Sequence, residues 1–194
     1  MKAEIIGIGN QNLYQNFFEA SCEYLQRELA AVGIGMGSRR MVPAQSQEVF
    51  DRLREASRQG DLVAVLPSAE PEAALAAAQA ISAGLGLELQ RDPALEEQLA
   101  QRASRLGRDY SSEELGSFSA IPKGSLRIPN PSGLVQGYAI RAQKQLMLVL
   151  PGTPSELAGC FSASVRRLLE GLGGGASAPR APRGGGGGGG AGRG

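Results

Sequence analysis

The sequence predicts an α/β fold, a three-layer sandwich with a mostly parallel sheet, helices on both faces and an antiparallel hairpin. Three observations carry this expectation. Strand-like and helical patterns alternate along most of the chain. Segments 62–66 and 146–150 are uninterrupted in apolar residues, as strands covered on both faces must be. Segments 138–142 and 146–150 lie close enough to form a hairpin turning near Gln143 and Lys144.

Residues 3–8 form a β-branched run ending in Gly7-Ile8-Gly9, which reads as a buried strand entering a glycine turn. From Phe17 the apolar positions Phe17, Phe18, Cys22, Leu25, Leu29 and Val32 recur at helical spacing, and Gly33 supplies the stop. An indistinct stretch, 34–42, reads as a second strand. A helix through Val49, Leu53 and Ala56 then stops at Gly60. Residues 61–66 are the clearest strand, ended by Pro67. The alanine-rich segment 71–83 opens on Pro71, preorganised for a first helical turn, with Glu70 and Glu72 near its positive end. Asp92-Pro93 repeats this start for a helix reaching Leu106, and Ser111 with Glu114 makes a capping box for a short one. Strands follow at 126–128, 138–142 and 146–150. Pro151-Gly152-Thr153-Pro154-Ser155-Glu156 then opens a last helix that runs to Leu172.

Of the 194 residues, segment 171–194 holds 13 of the 28 glycines together with Arg180, Arg183 and Arg193, and it has no acid. The expected organisation is therefore one domain over 1–172 and a disordered Gly/Arg-rich tail over 173–194. The body carries 17 basic against 19 acidic residues, and the tail brings the net charge to +1. With no basic stripe, and without aromatics or repeated RGG units in the tail, no nucleic-acid partner is expected. No apolar run approaches the roughly 20 residues of a membrane helix, and the opening MKAEIIGIG carries Glu4 where a signal peptide would be apolar. A cytoplasmic protein with no membrane partner is the expectation. Cys22 and Cys160 read as buried thiols.

The absence of histidine excludes the Ser-His-Asp triad, the Cys-His dyad and every His-containing metal site. Chemistry is left to carboxylates, hydroxyls, lysine and backbone amides. In a parallel α/β sheet, ligands bind beyond the carboxyl ends of the strands. Four loops qualify here: 9–16 with Gly9, Asn10 and Gln11; 67–72 with Ser68; 130–133 with Asn130, Pro131 and Gly133; and 151–156 with Gly152, Ser155 and Glu156. These ten residues are the candidate ligand-binding set. Glu70 and Glu72 are the weak catalytic candidates.

The segments KAEIIGIGN, YLQRELAAVGI, DLVAVL, RIPNPSGLVQGYAI and LVLPGTPSEL resemble, in order, the N-terminal domain of the competence/damage-inducible protein A (CinA) family. That domain is of the molybdopterin-binding, MoaB/Mog-like fold group. The similarity runs from Lys2 to about Leu168, and its most specific feature is LPGTPSE placed shortly after PNPSG. The resemblance implies a three-layer α/β sandwich, a nucleotide- or pterin-type ligand and a homo-oligomer. It also implies one of two metal-dependent activities: hydrolysis of ADP-ribose-type diphosphates, or adenylyl transfer to molybdopterin as in molybdenum cofactor biosynthesis. Deamidation of nicotinamide mononucleotide goes with the family's second domain and is not expected of these residues.

The sequence departs from the family where the family does its chemistry. Members carry Gly-Thr-Glu after the first strand; here Gly9 is followed by Asn10 and Gln11. Members carry a Thr-Gly-Gly-x-Gly loop and an Asp pair after the third strand, used for metal and phosphate. Here the chain reads Pro67-Ser68-Ala69-Glu70-Pro71-Glu72, then Ala73, Ala74 and Leu75. Proline has no N–H, and side chains stand where glycine would admit a diphosphate. The expectation is a divergent domain that keeps the fold and a ligand surface on a degenerate catalytic loop, with no resident cofactor; Mg²⁺ or another divalent metal would enter only with an active enzyme. The alternatives are that active enzyme, with Glu70 and Glu72 replacing the missing acids, and a non-catalytic oligomeric interaction domain.

Overall fold

The computed structural model describes residues 1–173. The Gly/Arg-rich tail, apart from Gly173, lies outside the described residues. The chain alternates strands and helices: β1 (Lys2–Ile8), α1 (Gln11–Ala31), β2 (Gly35–Val42), α2 (Ser46–Gln59), β3 (Leu62–Pro67) and α3 (Pro71–Leu85). A smaller unit follows, made of β4 (Leu89–Gln90), α4 (Pro93–Arg105), α5 (Ser112–Ser119) and β5 (Ile121–Pro122). Then come β6 (Leu126–Ile128), β7 (Gly137–Ala142), β8 (Gln145–Val149) and α6 (Pro154–Cys160), which passes through a π-helical stretch, Phe161–Val165, into α7 (Arg166–Gly173).

Six strands form one sheet in the order β2-β1-β3-β8-β7-β6, and β4 and β5 pair separately. The contacts β2–β1, β1–β3 and β3–β8 are parallel, whereas β8–β7 and β7–β6 are antiparallel. The two continuous apolar runs, in β3 and β8, are the two innermost strands. Alternation along them feeds two cores. Ile5, Leu62, Ala64, Leu66 and Leu148 pack under α1 and the last helix against Phe18, Leu25, Leu157 and Phe161. Ile6, Val63, Val65, Met147 and Val149 pack under α2 and α3 against Val49, Leu53, Ala77 and Ile81. Each such large side chain contributes about 1.5–3 kcal/mol on burial. Helix α3 is covered on a second side as well, where Ala74 joins Leu99, Ala103, Phe118, Leu134 and Val135 beneath α4 and α5. A helix enclosed on two sides favours small residues over most of its length, which accounts for its run of alanines.

Helix α1 corrects one expectation, that residues 9–16 form a loop. It begins at Gln11, because extended Asn10 caps it: its side chain accepts from Asn12 N at 3.0 Å and its carbonyl from Tyr14 N at 2.9 Å. The first turn escaped the apolar periodicity because Gln11, Asn12 and Leu13 face solvent. Only Gly9 and Asn10 are left to turn the chain. Glu4, the one acid within a buried strand, is explained by the neighbouring edge strand. Its carboxylate accepts from Ser38 N at 2.8 Å and from Ser38 Oγ, and it pairs with Lys2 Nζ at 3.0 Å. Burial pushes the Glu4 carboxyl up, but the Ser38 and Lys2 contacts outweigh it and hold the group below its ordinary value.

Candidate functional site

The ladders joining the parallel strands β1, β3 and β8 continue past the strand ends into the turns. Gly9 N donates to Val42 O at 3.0 Å, Ser68 N to Ile8 O at 2.8 Å and Gly152 N to Pro67 O at 3.0 Å. This brings the turns after all three strands together. Between the β1 and β3 turns lies a cleft of about 280 Å³ lined by Gly9, Asn10, Gln45, Ser68, Glu70 and Glu72, with Pro43, Ala44 and Ala73. Gly9 packs against Ser68 and Tyr14. Ser68 is 6% exposed, and its Oγ has no hydrogen-bond partner among the described residues.

Tyr14, which the sequence did not single out, organises this end of the sheet. Its buried phenol donates to Leu66 O at 2.9 Å and lies directly over Gly152. Burial, with Cys22 and Glu156 adding, pushes its pKa far above the usual range. Ser21 Oγ donates to Gly152 O at 2.7 Å. Only a glycine fits at 152: a Cβ there would meet Tyr14 Oη at 1.7 Å and Pro67 O at 2.6 Å.

Asn130, Gly133 and Glu156 form a second cluster outside the lining of the cleft. Asn130 is 1% exposed, and all its amide capacity is engaged within the protein. Nδ2 donates to Val135 O and Glu156 Oε1, both at 2.9 Å, while Oδ1 accepts from the backbone N–H of Ser132 and Gly133, both at 3.2 Å. Arg102, reaching in from α4, donates to Asn130 O at 2.8 Å and Gly133 O at 2.7 Å. Asn130 therefore shapes the loop instead of presenting its edge to a ligand. Pro131 and Ser155 are exposed, and Gln11 begins α1 outside the cleft.

The cleft joins an apolar wall, from Pro43, Ala44 and Ala73, to a few polar groups. Asn10, Gln45 and Ser68 supply polar atoms, Glu70 and Glu72 supply two carboxylates, and no lysine or arginine lines it. The start of α3 offers few donors, because Pro71 has none and the amides of Ala73 and Ala74 turn onto Glu70 O at 3.2 and 3.3 Å. Among the described residues no three His, Cys, Asp or Glu cluster as the ligands of a protein-only metal cage would, and Glu70 and Glu72 are the two carboxylates in the cleft that could meet a divalent ion. Cys22 and Cys160 are buried, and burial pushes each thiol up to about 12. They stay neutral and are poor nucleophiles at physiological pH.

A mixed sheet of this order, with its loops gathered at the carboxyl ends of parallel strands, is an α/β domain with the fold of CinA and MogA. No family model matches the chain. It is 27% identical over 169 residues to the CinA-like protein of Frankia casuarinae, covering 85% of this chain and 39% of that protein. The chain spans about two fifths of the length of the curated relatives that it matches first. Among solved structures, CinA from Thermoplasma acidophilum matches 86% of this chain and 97% of that chain, with a TM-score of 0.68 and 21% identity. MogA matches 89% of this chain and 99% of that chain, with a TM-score of 0.52 and 18% identity. In sequence the chain is a homologue of the CinA-like, competence-damage inducible proteins, and it shares the fold of CinA and the Mog-type proteins. No helix among the described residues is long and apolar enough to cross a membrane.

Proposed function

We propose that this chain is a divergent CinA-like domain that binds the heterocyclic part of a nucleotide- or pterin-type ligand in the cleft between β1 and β3, with little or no turnover. The observation that carries this reading is Ser68, a buried hydroxyl without a partner among the described residues, on a side chain that lines the cleft. An orphaned buried hydroxyl costs roughly 1–3 kcal/mol, and a ligand that bonds to it recovers part of that. The two carboxylates and the lack of a lining cation favour an uncharged ring edge over a diphosphate there. The test is thermal shift with AMP, ADP-ribose, ATP and molybdopterin, each with and without Mg²⁺. At least one should raise the melting temperature of the natural chain, and Ser68→Ala should reduce the shift. No shift from any of them would reject the reading.

Catalysis of phosphoryl or nucleotidyl transfer rests on preorganised donors and neutralised charge, and losing one such donor costs roughly a hundredfold or more in rate. With the first turn of α3 short of free amides, ADP-ribose turnover should be absent or very weak with Mg²⁺, Mn²⁺ or Co²⁺. A metal-dependent enzyme is the second reading, favoured by the placement of Glu70 and Glu72 in the same cleft. Robust turnover abolished by Glu70→Ala or Glu72→Ala would establish that reading instead.

A further inference from the structure

The opposite end of the sheet holds a larger groove, about 810 Å³, which the cleft does not reach. It opens where β3 and β8 begin, between α2, α3 and the turn of the β7–β8 hairpin. Its floor is apolar: Leu53, Ile81, Ile140 and Met147 are buried, with Phe50 and Leu85 half-buried beside them. Its rim is cationic. Arg54 and Arg58 come from α2, and Arg141 and Lys144 from the hairpin, all exposed. None of the four has an ion pair or a side-chain hydrogen bond among the described residues. The single acid in the lining, Asp61, is engaged by Lys2 N at 2.8 Å. Compensation of a helix C-terminus accounts for Arg58, in the last turn of α2, but not for Arg54 or for the two hairpin cations.

We infer that this groove is a second ligand site, for a small amphipathic organic anion whose apolar body lies on the Leu53, Ile81, Ile140 and Met147 floor and whose carboxylate, sulfonate or phosphate meets the cationic rim. The volume is in the range of pockets that take small organic ligands. Four like charges around one apolar depression repel one another until an anion enters, so charge complementarity selects the occupant. The site is separate from the cleft at the other end of the sheet, and neither reading depends on the other.

The probe pair is anilinonaphthalene sulfonate and its uncharged counterpart phenylnaphthylamine, which share an aromatic body and differ in the anion. In fluorescence titrations of the full chain at low salt, the sulfonate should saturate a single site and bind about tenfold or more tightly than the amine. High salt should remove most of that advantage. The double variants Arg54→Gln with Arg141→Gln, and Arg58→Gln with Lys144→Gln, should each weaken the sulfonate several-fold at unchanged melting temperature. Arg27→Gln with Arg40→Gln, exposed cations outside the groove, should not. Equal affinity for the uncharged probe, no saturable site, or indifference to both groove variants would overturn the inference. Chemical-shift mapping of the sulfonate on the natural chain gives a check free of substitutions, since shifts confined to the cleft at Ser68 would also overturn it.

Discussion

Gly152 decides how closely the last turn approaches the first helix. Its amide is tied to Pro67 and its Cα face lies against the Tyr14 ring. Gly152→Ala should cost about 1–3 kcal/mol by overpacking, read as a lower urea midpoint at unchanged slope. Tyr14→Phe in the same chain should recover only part of that, because the Tyr14 ring carbon and Pro67 O remain within 2.6 Å of the new methyl. Glu4 acts at the same scale but through pH. Its carboxyl lies below the ordinary 4.5 in the folded protein, so the unfolded chain takes up the proton first as the solution is acidified. The stabilisation it gives is complete above 4.5 and is lost as pH falls through the folded value. Glu4→Gln should lower stability at neutral pH and flatten the acid limb of the stability–pH curve. The thiols supply a third residue-scale test: at pH 8, Cys22 and Cys160 should react with a thiol reagent only as fast as the protein opens, and denaturant should release both.

Among the elements, α5 is the clearest case of local grammar producing structure. Ser111 Oγ accepts from Glu114 N at 3.2 Å, and Glu114 Oε2 accepts from Ser111 N at 2.8 Å. Ser111→Ala should cost about 1 kcal/mol, visible as faster amide exchange in α5 before any global change. Signals of this kind, read over a few residues, made most elements legible. Asp92 caps α4, Pro71 starts α3, and the turn at Gln143 joins β7 to β8. What was not legible depended on distant partners. The pair β4–β5 is two residues long on each side, too short to leave a pattern. Asn130 looked available as a ligand contact because one of its partners, Glu156, lies 26 residues on in a helix whose approach no local spacing encodes. Arg102 escaped notice for the same reason, since its clamp on Asn130 and Gly133 crosses from α4 to the far loop. The loops around Gly9, Ser68 and Gly152 were legible because strand direction alone brings the ends of parallel strands together.

For the molecule as a whole, the sheet has two parts of different character. The strands β2, β1 and β3 form a parallel half, and β7 with β6 forms an antiparallel half. Only β8 touches both, parallel to β3 and antiparallel to β7. It is also the last in chain order of the sheet's six strands among the described residues. During synthesis the parallel half is left with the edge of β3 open until segment 145–149 emerges, so the sheet closes only after β6 and β7 have been made. Closing it late requires long-range pairing of Leu62 with Leu146, a slow class of contact. A chain ending at Lys144 should therefore show helical signal without cooperative unfolding, and a nascent chain should need protection of the β3 edge until β8 slots in.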